Sequence, residues 1–566
     1  FIIVSIFIHF KLFYSIYTAS ELIIPYGLKP FDICSQNPIL WKYLKIIHII
    51  SYLFSNMIFI HFLLSKLSKI IHPFPNKKTS TKNLEHFTSN QLHLEIGYDP
   101  SSKLIISIPE SGLYQNFLIT GTIGSGKTSS AMYPFTKQFI KFGSNPHQKM
   151  AMLILDVKGN YYKQIKEFCK TYNRLSDLIV IELHSHIHYN PLHKPKLKPQ
   201  VLANRLKTIL LLFSENNSES YWLDKAEQVL TECIKLCRFY NNGYVTFTEI
   251  HKLITIPNYY KEKIPILKNL FIHSKFKSDE IYELNSCLDF FQKEFETLDQ
   301  RTKAILISEI TRITNTFVSD YDVMSCFCSP KETLTFTSFE EVLKNGKIVV
   351  LNMNISEYSI LSKIIATYLK LDFQSEVLSN LSKNKIYPSC FICDEYDKYA
   401  SKTDAEFFSL SREAKCINIV STQSYSSLKN TLKDDSFVKV IVQNLINKIW
   451  FRTDDIFTIE EAQKQLGKEE KVRTSKSFSE NAKETTFSYI TNTLNSENSN
   501  ISESISTYVQ NDYIYESNYF TQNLETFFAL CFLSDGHKIY PPCKLQMFPY
   551  FKNRKEFLNE KRKNKS

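Results

Sequence analysis

Asn116–Ser130, NFLITGTIGSGKTSS, decides the fold: an apolar run enters a glycine turn and leaves through Lys127 and Thr128. Gly121, four intervening residues and then Gly126-Lys127-Thr128 satisfy G-x-x-x-x-G-K-[ST], with a buried strand predicted over 117–119 and a helix opening at Thr128. Three of the chain's 12 glycines fall here, too dense for chance in so glycine-poor a sequence. An ordinary strand-turn-helix corner has no use for Lys127. Glycine permits positive φ, so the backbone of Gly121, Thr122, Gly124, Ser125, Gly126, Lys127, Thr128 and Ser129 can turn its N–H groups toward phosphate oxygens at the positive end of the next helix. Lys127 is then expected against the β- and γ-phosphates, and the Thr128 hydroxyl on the Mg²⁺ that bridges them. By itself the loop specifies ATP or GTP and not the machine that uses it.

A second chemical signal lies downstream in Cys390–Glu395, CFICDE, where an apolar strand ends in two adjacent carboxylates. Asp394 is expected to hold Mg²⁺ through water and Glu395 to deprotonate the attacking water. Such pairs are common on surfaces; it is the buried strand before this one and the phosphate loop elsewhere that give it weight. The next apolar strand, Ile417–Thr422, delivers Gln423, either a γ-phosphate sensor or a solvated turn residue. The run Met150–Leu155 ends at Asp156-Val157-Lys158-Gly159, so Asp156 either lines the ligand crevice of a parallel α/β sheet or shapes its turn.

The rest of the chain sets the frame. With 566 residues it can carry two to four domains. Its 12 cysteines lack zinc-site spacing and read as reduced thiols, while a net charge of +11 favours anionic partners such as nucleic acid or lipid headgroups. Phe1–Tyr17 is strongly apolar and lacks a starting methionine, so the expected anchor is read as truncated at its start. Ile46–Leu64 has no Asp, Glu, Lys or Arg and is long enough, at 1.5 Å per residue, to cross most of a ~30 Å hydrocarbon core. Lys66, Lys69, Lys77 and Lys78 follow it, which predicts a cytoplasmic remainder. Pro134 is expected to kink or end the helix after the loop. From Leu202 to about Pro330 apolar residues recur at helical spacing, predicting a helical insertion. Thr474–Thr507, rich in Ser, Asn and Thr, reads as a flexible surface segment, and the basic tail KNRKEFLNEKRKNKS as a solvated end or an anion contact.

Taken in order, GTIGSGKT, LILDVKGN, YNPL (Tyr189–Leu192), YWLDKA (Tyr221–Ala226), FICDE and VSTQSYSSL (Val420–Leu428) resemble the type IV secretion coupling proteins, the TraG/TraD-type conjugative ATPases, over roughly residues 100–550. The resemblance implies an α/β fold: a RecA-like P-loop NTPase core over 80–200 and 340–550, an inserted all-helical domain over 201–339, a transmembrane hairpin within 1–70 and the basic tail 551–566. It implies a multi-pass protein of the bacterial inner membrane and an ATP- and Mg²⁺-dependent homohexamer. Such a ring passes DNA, single- or double-stranded and without sequence preference, or effector proteins, from a relaxase or relaxosome to type IV secretion channel proteins. A neighbouring subunit's arginine would complete the site, with Arg412 and Arg452 as candidates. The loop after Glu395, YDKYASKTD, lacks the Gly and Pro the family often has there. Alternative readings are an FtsK-like DNA translocase, for which no distinct carboxy-terminal DNA-reading domain is seen, and a non-motor nucleotide-binding membrane receptor for secretion substrates. An ABC-type ATPase is disfavoured because no LSGGQ-like signature is present.

Overall fold

The computed structural model describes residues 39, 42–43, 45–54, 56–57 and 91–552, apart from 157, 214–219, 274–276, 354, 383–385, 482–485, 489–492 and 496–499. The chain divides into two compact units, Phe1–Glu85 and His86–Ser566. In the first, residues 45–54 are helical. The apolar segment Phe1–Tyr17 lies outside the described residues, as do residues 55 and 58–64 of the second apolar run and the basic tail from 553 on. Among the described residues no helix is long and apolar enough to cross a membrane.

The second unit is built on one mixed sheet of 11 strands. Its strands are β1 (His93–Asp99), β2 (Leu104–Pro109), β3 (Phe117–Thr120), β4 (Ala151–Leu155), β5 (Leu178–Ile181), β6 (Ile348–Leu351), β7 (Ser389–Cys393), β8 (Cys416–Thr422), β9 (Asn447–Trp450), β14 (Phe528–Phe532) and β15 (Cys543–Met547). The order is β2-β1-β15-β14-β9-β3-β8-β7-β4-β6-β5. From β9 to β5 all neighbours are parallel, whereas β14, β15, β1 and β2 extend the sheet antiparallel. Every residue of β3, β4, β6, β7 and β8 is buried, as expected for strands covered on both faces. Alternation then sorts them: Phe117, Ile119, Met152, Ile154, Ile392 and Ile419 pack with helices Tyr133–Phe142 and Tyr161–Thr171. Leu118, Leu153, Leu155, Phe391, Cys393 and Val420 point the other way, into a larger core shared with the helices between β5 and β7.

Between Pro199 and Asn345 the described residues are mostly helical, and their apolar faces belong to the same buried cluster as that second sheet face. Buried charges tie it down. Helix Ile355–Ser382 presents Asp372, whose carboxylate meets Lys194 Nζ at 2.6 Å and Arg205 Nη1 at 2.8 Å, all three side chains at most 7% exposed. Burial alone would raise the Asp372 carboxyl, but the two cations more than offset it and hold it low. Because folding lowers this pKa, its stabilisation is complete above the ordinary value of 3.8 and is lost as pH falls through the lower folded value. Asp372→Asn strands two buried cations, so a loss of about 3–5 kcal/mol is expected. Urea or thermal unfolding of the variant measures it; an unchanged transition would mean that this pair does not hold the insertion.

Two expectations need correction. Pro134 does not end the helix after the phosphate loop: Thr128–Met132 forms a wide π-turn, with Tyr133 N–H donating to Thr128 O five residues back, and Tyr133–Phe142 continues from it in α-helical form. The proline thus falls where the hydrogen-bond ladder is already widened. Thr474–Thr507 is not without regular structure: its described residues contribute to a two-stranded ribbon of β10 (Lys468–Asn481) and β13 (Asn500–Tyr513), and β11 (Thr486–Ser488) pairs with β12 (Thr493–Asn495). Polar composition hides a cross-strand pattern: Val472 faces Val509, Thr474 faces Thr507, and Arg473 Nε donates to Asp512 at 2.8 Å. Every cysteine among the described residues is a free thiol, in line with the reduced reading.

Candidate active site

Parallel strands deliver their carboxyl ends to one edge of the sheet, where the chemistry converges. After β3 the chain turns through Gly124 at φ 78° and Gly126 at φ 101°, conformations that favour glycine. A Cβ at Gly126 would lie 2.7 Å from the Phe527 ring, so the loop also needs glycine for space. Thr122 and Ser125 shape the loop, since Thr122 N–H and Oγ1 both donate to Arg452 O (2.8 and 3.1 Å) and Ser125 Oγ donates to Thr122 O at 2.7 Å. Ser129 O accepts from Tyr550 N–H at 2.9 Å. Among the described residues, the N–H groups of Gly124, Gly126, Lys127 and Thr128 meet no acceptor, which leaves a row of donors at a helix start. Lys127 is 7% exposed and its ammonium bends back to Gly121 O and, at 3.4 Å, Thr122 O. Burial pushes its pKa down, against the pull of Glu395 and Asp394 nearby.

Across from the loop, β7 delivers both carboxylates. Thr128 Oγ1 donates to Asp394 Oδ2 at 2.8 Å, and Ser421 Oγ, from the end of β8, donates to Oδ1. Burial pushes the Asp394 carboxyl above its ordinary range; the Ser421 hydroxyl opposes this and the Asp156 carboxylate adds to it. Glu395 sits in the left-handed region, φ 53° and ψ 46°, a conformation that strains a non-glycine residue and aims it away from the strand direction. Its Oε1 accepts from Lys158 Nζ at 3.1 Å and its Oε2 from Gln423 Nε2 at 3.1 Å. Burial would raise this carboxyl, but the two donors, Lys158 foremost, more than offset it and hold it low.

Lys127, Thr128, Asp394, Glu395 and Gln423 thus meet at one edge. Asp156 does not join them on a ligand-facing side. Both of its oxygens are taken by backbone, Oδ1 by Lys158 N–H and Oδ2 by the N–H groups of Asn160 and Tyr161, all at 3.0 Å, which gives it the turn-shaping role. Arg412 is at the wrong end for its own chain's site: it precedes β8 and lines a cavity of about 790 Å³ with Asn116 and Lys448, at the amino-terminal ends of the strands. Arg452 follows β9 beside the phosphate loop and is exposed. Sequence reasoning missed Ser421, Lys158 and Phe527. Ser421 is a hydroxyl at the carboxyl end of a buried strand, one residue before the strand's last, and could have been found; Phe527, some four hundred positions from the loop, gave no local signal.

The donor set suits a hard cation, because a hydroxyl and a carboxylate meet beside a phosphate-sized cradle. Among the described residues no group of three or more His, Cys, Asp and Glu side chains could enclose a metal. An ion shared with phosphates needs no such cage.

Residues 388–510 match the family model described as the TraM recognition site of TraD and TraG. The fold aligns with the bacterial conjugative coupling protein TrwB in an unbound monoclinic form, over 80% of this chain and 88% of that one, at 12% identity and TM-score 0.53. It aligns with plasmid coupling protein TrwB in complex with the non-hydrolysable GTP analogue GDPNP over 79% and 89%, at 13% identity and TM-score 0.53. A third match is TrwB in complex with ADP and Mg²⁺, over 79% and 88%, at 13% identity and TM-score 0.51. No curated protein sequence matches the chain. The chain therefore shares the large mixed α/β-sheet fold of these TrwB structures, and its residues 388–510 are similar to a segment of TraD and TraG.

Proposed function

We propose that this chain is a membrane-anchored coupling ATPase that hydrolyses ATP with Mg²⁺ and uses the energy to drive DNA, as a relaxase-bound strand, or protein cargo into a type IV secretion channel. The observation that carries the reading is the meeting of Lys127, the Thr128–Asp394 pair and the Glu395–Gln423 pair at one sheet edge. The loop's N–H donors and Lys127 bind the phosphates, and Thr128 with Asp394 would hold Mg²⁺. When bound, that ion neutralises phosphate charge. Glu395 accepts a proton from water as the water oxygen bonds to the γ-phosphorus and the bond to the bridging oxygen of ADP breaks; the proton then leaves with phosphate. Gln423 holds Glu395 from the side of β8. The TrwB complexes with ADP and Mg²⁺ and with a GTP analogue support a nucleotide site in this fold.

The uncharged run Ile46–Leu64 and the lysines after it support an inner-membrane anchor with the rest cytoplasmic. A homohexamer, with Arg452 or Arg412 reaching a neighbour's site, belongs to the same reading, as does a relaxosome partner, supported by the family model's description. DNA separates motor from receptor. ATP hydrolysis by the purified protein should rise with protein concentration and with single- or double-stranded DNA of any sequence. The stimulation should fall steeply with salt, with log affinity linear in log salt, because the contacts are to phosphates. Hydrolysis indifferent to DNA, concentration and salt would favour the non-motor receptor.

A further inference from the structure

The backbone of Glu395 is fixed separately from its side chain. Its N–H donates to Asp394 Oδ1 at 3.1 Å and its carbonyl accepts from Lys398 N–H at 3.0 Å, but nothing in those bonds fixes the direction of the carboxylate. Two side chains do: the Gln423 amide from β8 on Oε2 and the Lys158 ammonium from the turn after β4 on Oε1, each at 3.1 Å. These flank β7 on both sides, since β4 and β8 are its two neighbours in the sheet. The turn that carries Lys158 is itself held, because Asp156 gathers the N–H groups of Lys158, Asn160 and Tyr161, and Gly159 stands at φ 68°.

We propose that Lys158 is a positioning residue of the hydrolysis reaction, its ammonium clamping the Glu395 carboxylate against Gln423 so that it faces the water attacking the γ-phosphate. This rests on the reading of Glu395 as the proton acceptor. It also assigns Asp156 a purpose, that of presenting Lys158. Packing does not explain the contact: the Lys158 side chain is 57% exposed while that of Glu395 is 8% exposed, so the lysine fills no core. An ion pair exposed on one side contributes little to stability. A base displaced by about 1 Å loses on the order of 10²-fold in rate.

Steady-state ATP hydrolysis, binding of a fluorescent ATP analogue and thermal unfolding of the full-length protein test the proposal in K158M, K158R, E395Q and the K158M/E395Q double variant. Lys158→Met should lower kcat about 10- to 100-fold at unchanged KM, nucleotide affinity and melting temperature. Lys158→Arg should restore most of the loss, and Lys158→Met added to Glu395→Gln should cost less than about twofold more, because there is no carboxylate left to aim. A raised KM with kcat intact would make Lys158 a phosphate ligand and overturn the proposal. So would an equal loss in both backgrounds, or wild-type kcat in K158M while E395Q is slow. Wild-type turnover in E395Q would instead remove the proton-acceptor reading itself.

Discussion

Lys127→Ala is expected to abolish ATP turnover. Lys127 is 7% exposed, and its ammonium lies within electrostatic reach of both Asp394 and Glu395. Its removal leaves two carboxylates facing the phosphates with no fixed cation between them. Phosphoryl transfer depends on neutralising charge on the transferring group and gives the protein little covalent work by which to compensate. The fold should survive. Thr122 remains bonded to Arg452 O, Ser125 Oγ to Thr122 O, and Phe527 N–H to Ser125 O at 3.2 Å, none of them through Lys127. Phosphate release and ATP-analogue binding, with a melting curve alongside, are the measurements: turnover at background, weakened binding and an unshifted melt are expected. Turnover near wild type would mean that the loop is a structural corner after all.

Glu395→Gln should separate binding from chemistry. Loss of a general base costs about 10²–10⁴-fold, and slowing of that order is expected with nucleotide affinity retained, because Lys127, Thr128 and Asp394 are untouched. The geometry adds a consequence. In the native site both Glu395 oxygens face nitrogen donors, Lys158 and Gln423. A glutamine there can satisfy one of them, and its own NH₂ must face the other, so the variant's side chain should swing toward whichever acceptor is nearer. Single-turnover hydrolysis together with equilibrium binding reads the split. Parallel loss of binding and rate would show that Glu395 holds nucleotide instead of activating water.

The parts of this molecule legible in the sequence are those in which a buried strand hands over directly to chemistry. FLIT into GTIGSGKT and CFIC into DE each announce themselves, because a doubly covered parallel strand is continuously apolar and its carboxyl end is where a ligand sits. Gln423 was legible for the same reason. Asp156 was not, since a carboxylate at a strand end looks alike whether it faces a ligand or collects backbone N–H groups; only the three 3.0 Å bonds decide. Arg412 is not part of its own chain's site, since it precedes Cys416 whereas the site follows Thr422, and a role in a neighbour's site cannot be read from its own strand. The ribbon was illegible to composition. Its Ser- and Thr-rich strands bury little, and a pairing of Val472 with Val509 spans a long stretch of polar chain.

The sheet also sets an order of events. The hairpin β1–β2 is made first, yet it joins the rest of the sheet only through β15, the last strand, and Phe527 and Tyr550 brace the phosphate loop from the same late region. On a ribosome adding about 5–20 residues per second, the loop and its carboxylates therefore emerge long before the segments that support them. A nascent chain, or a product truncated near residue 515, carries every nucleotide motif but lacks Phe527 against Gly126 and leaves β9 without β14. The contacts that support the phosphate loop thus exist only once Phe527 and Tyr550 have been made.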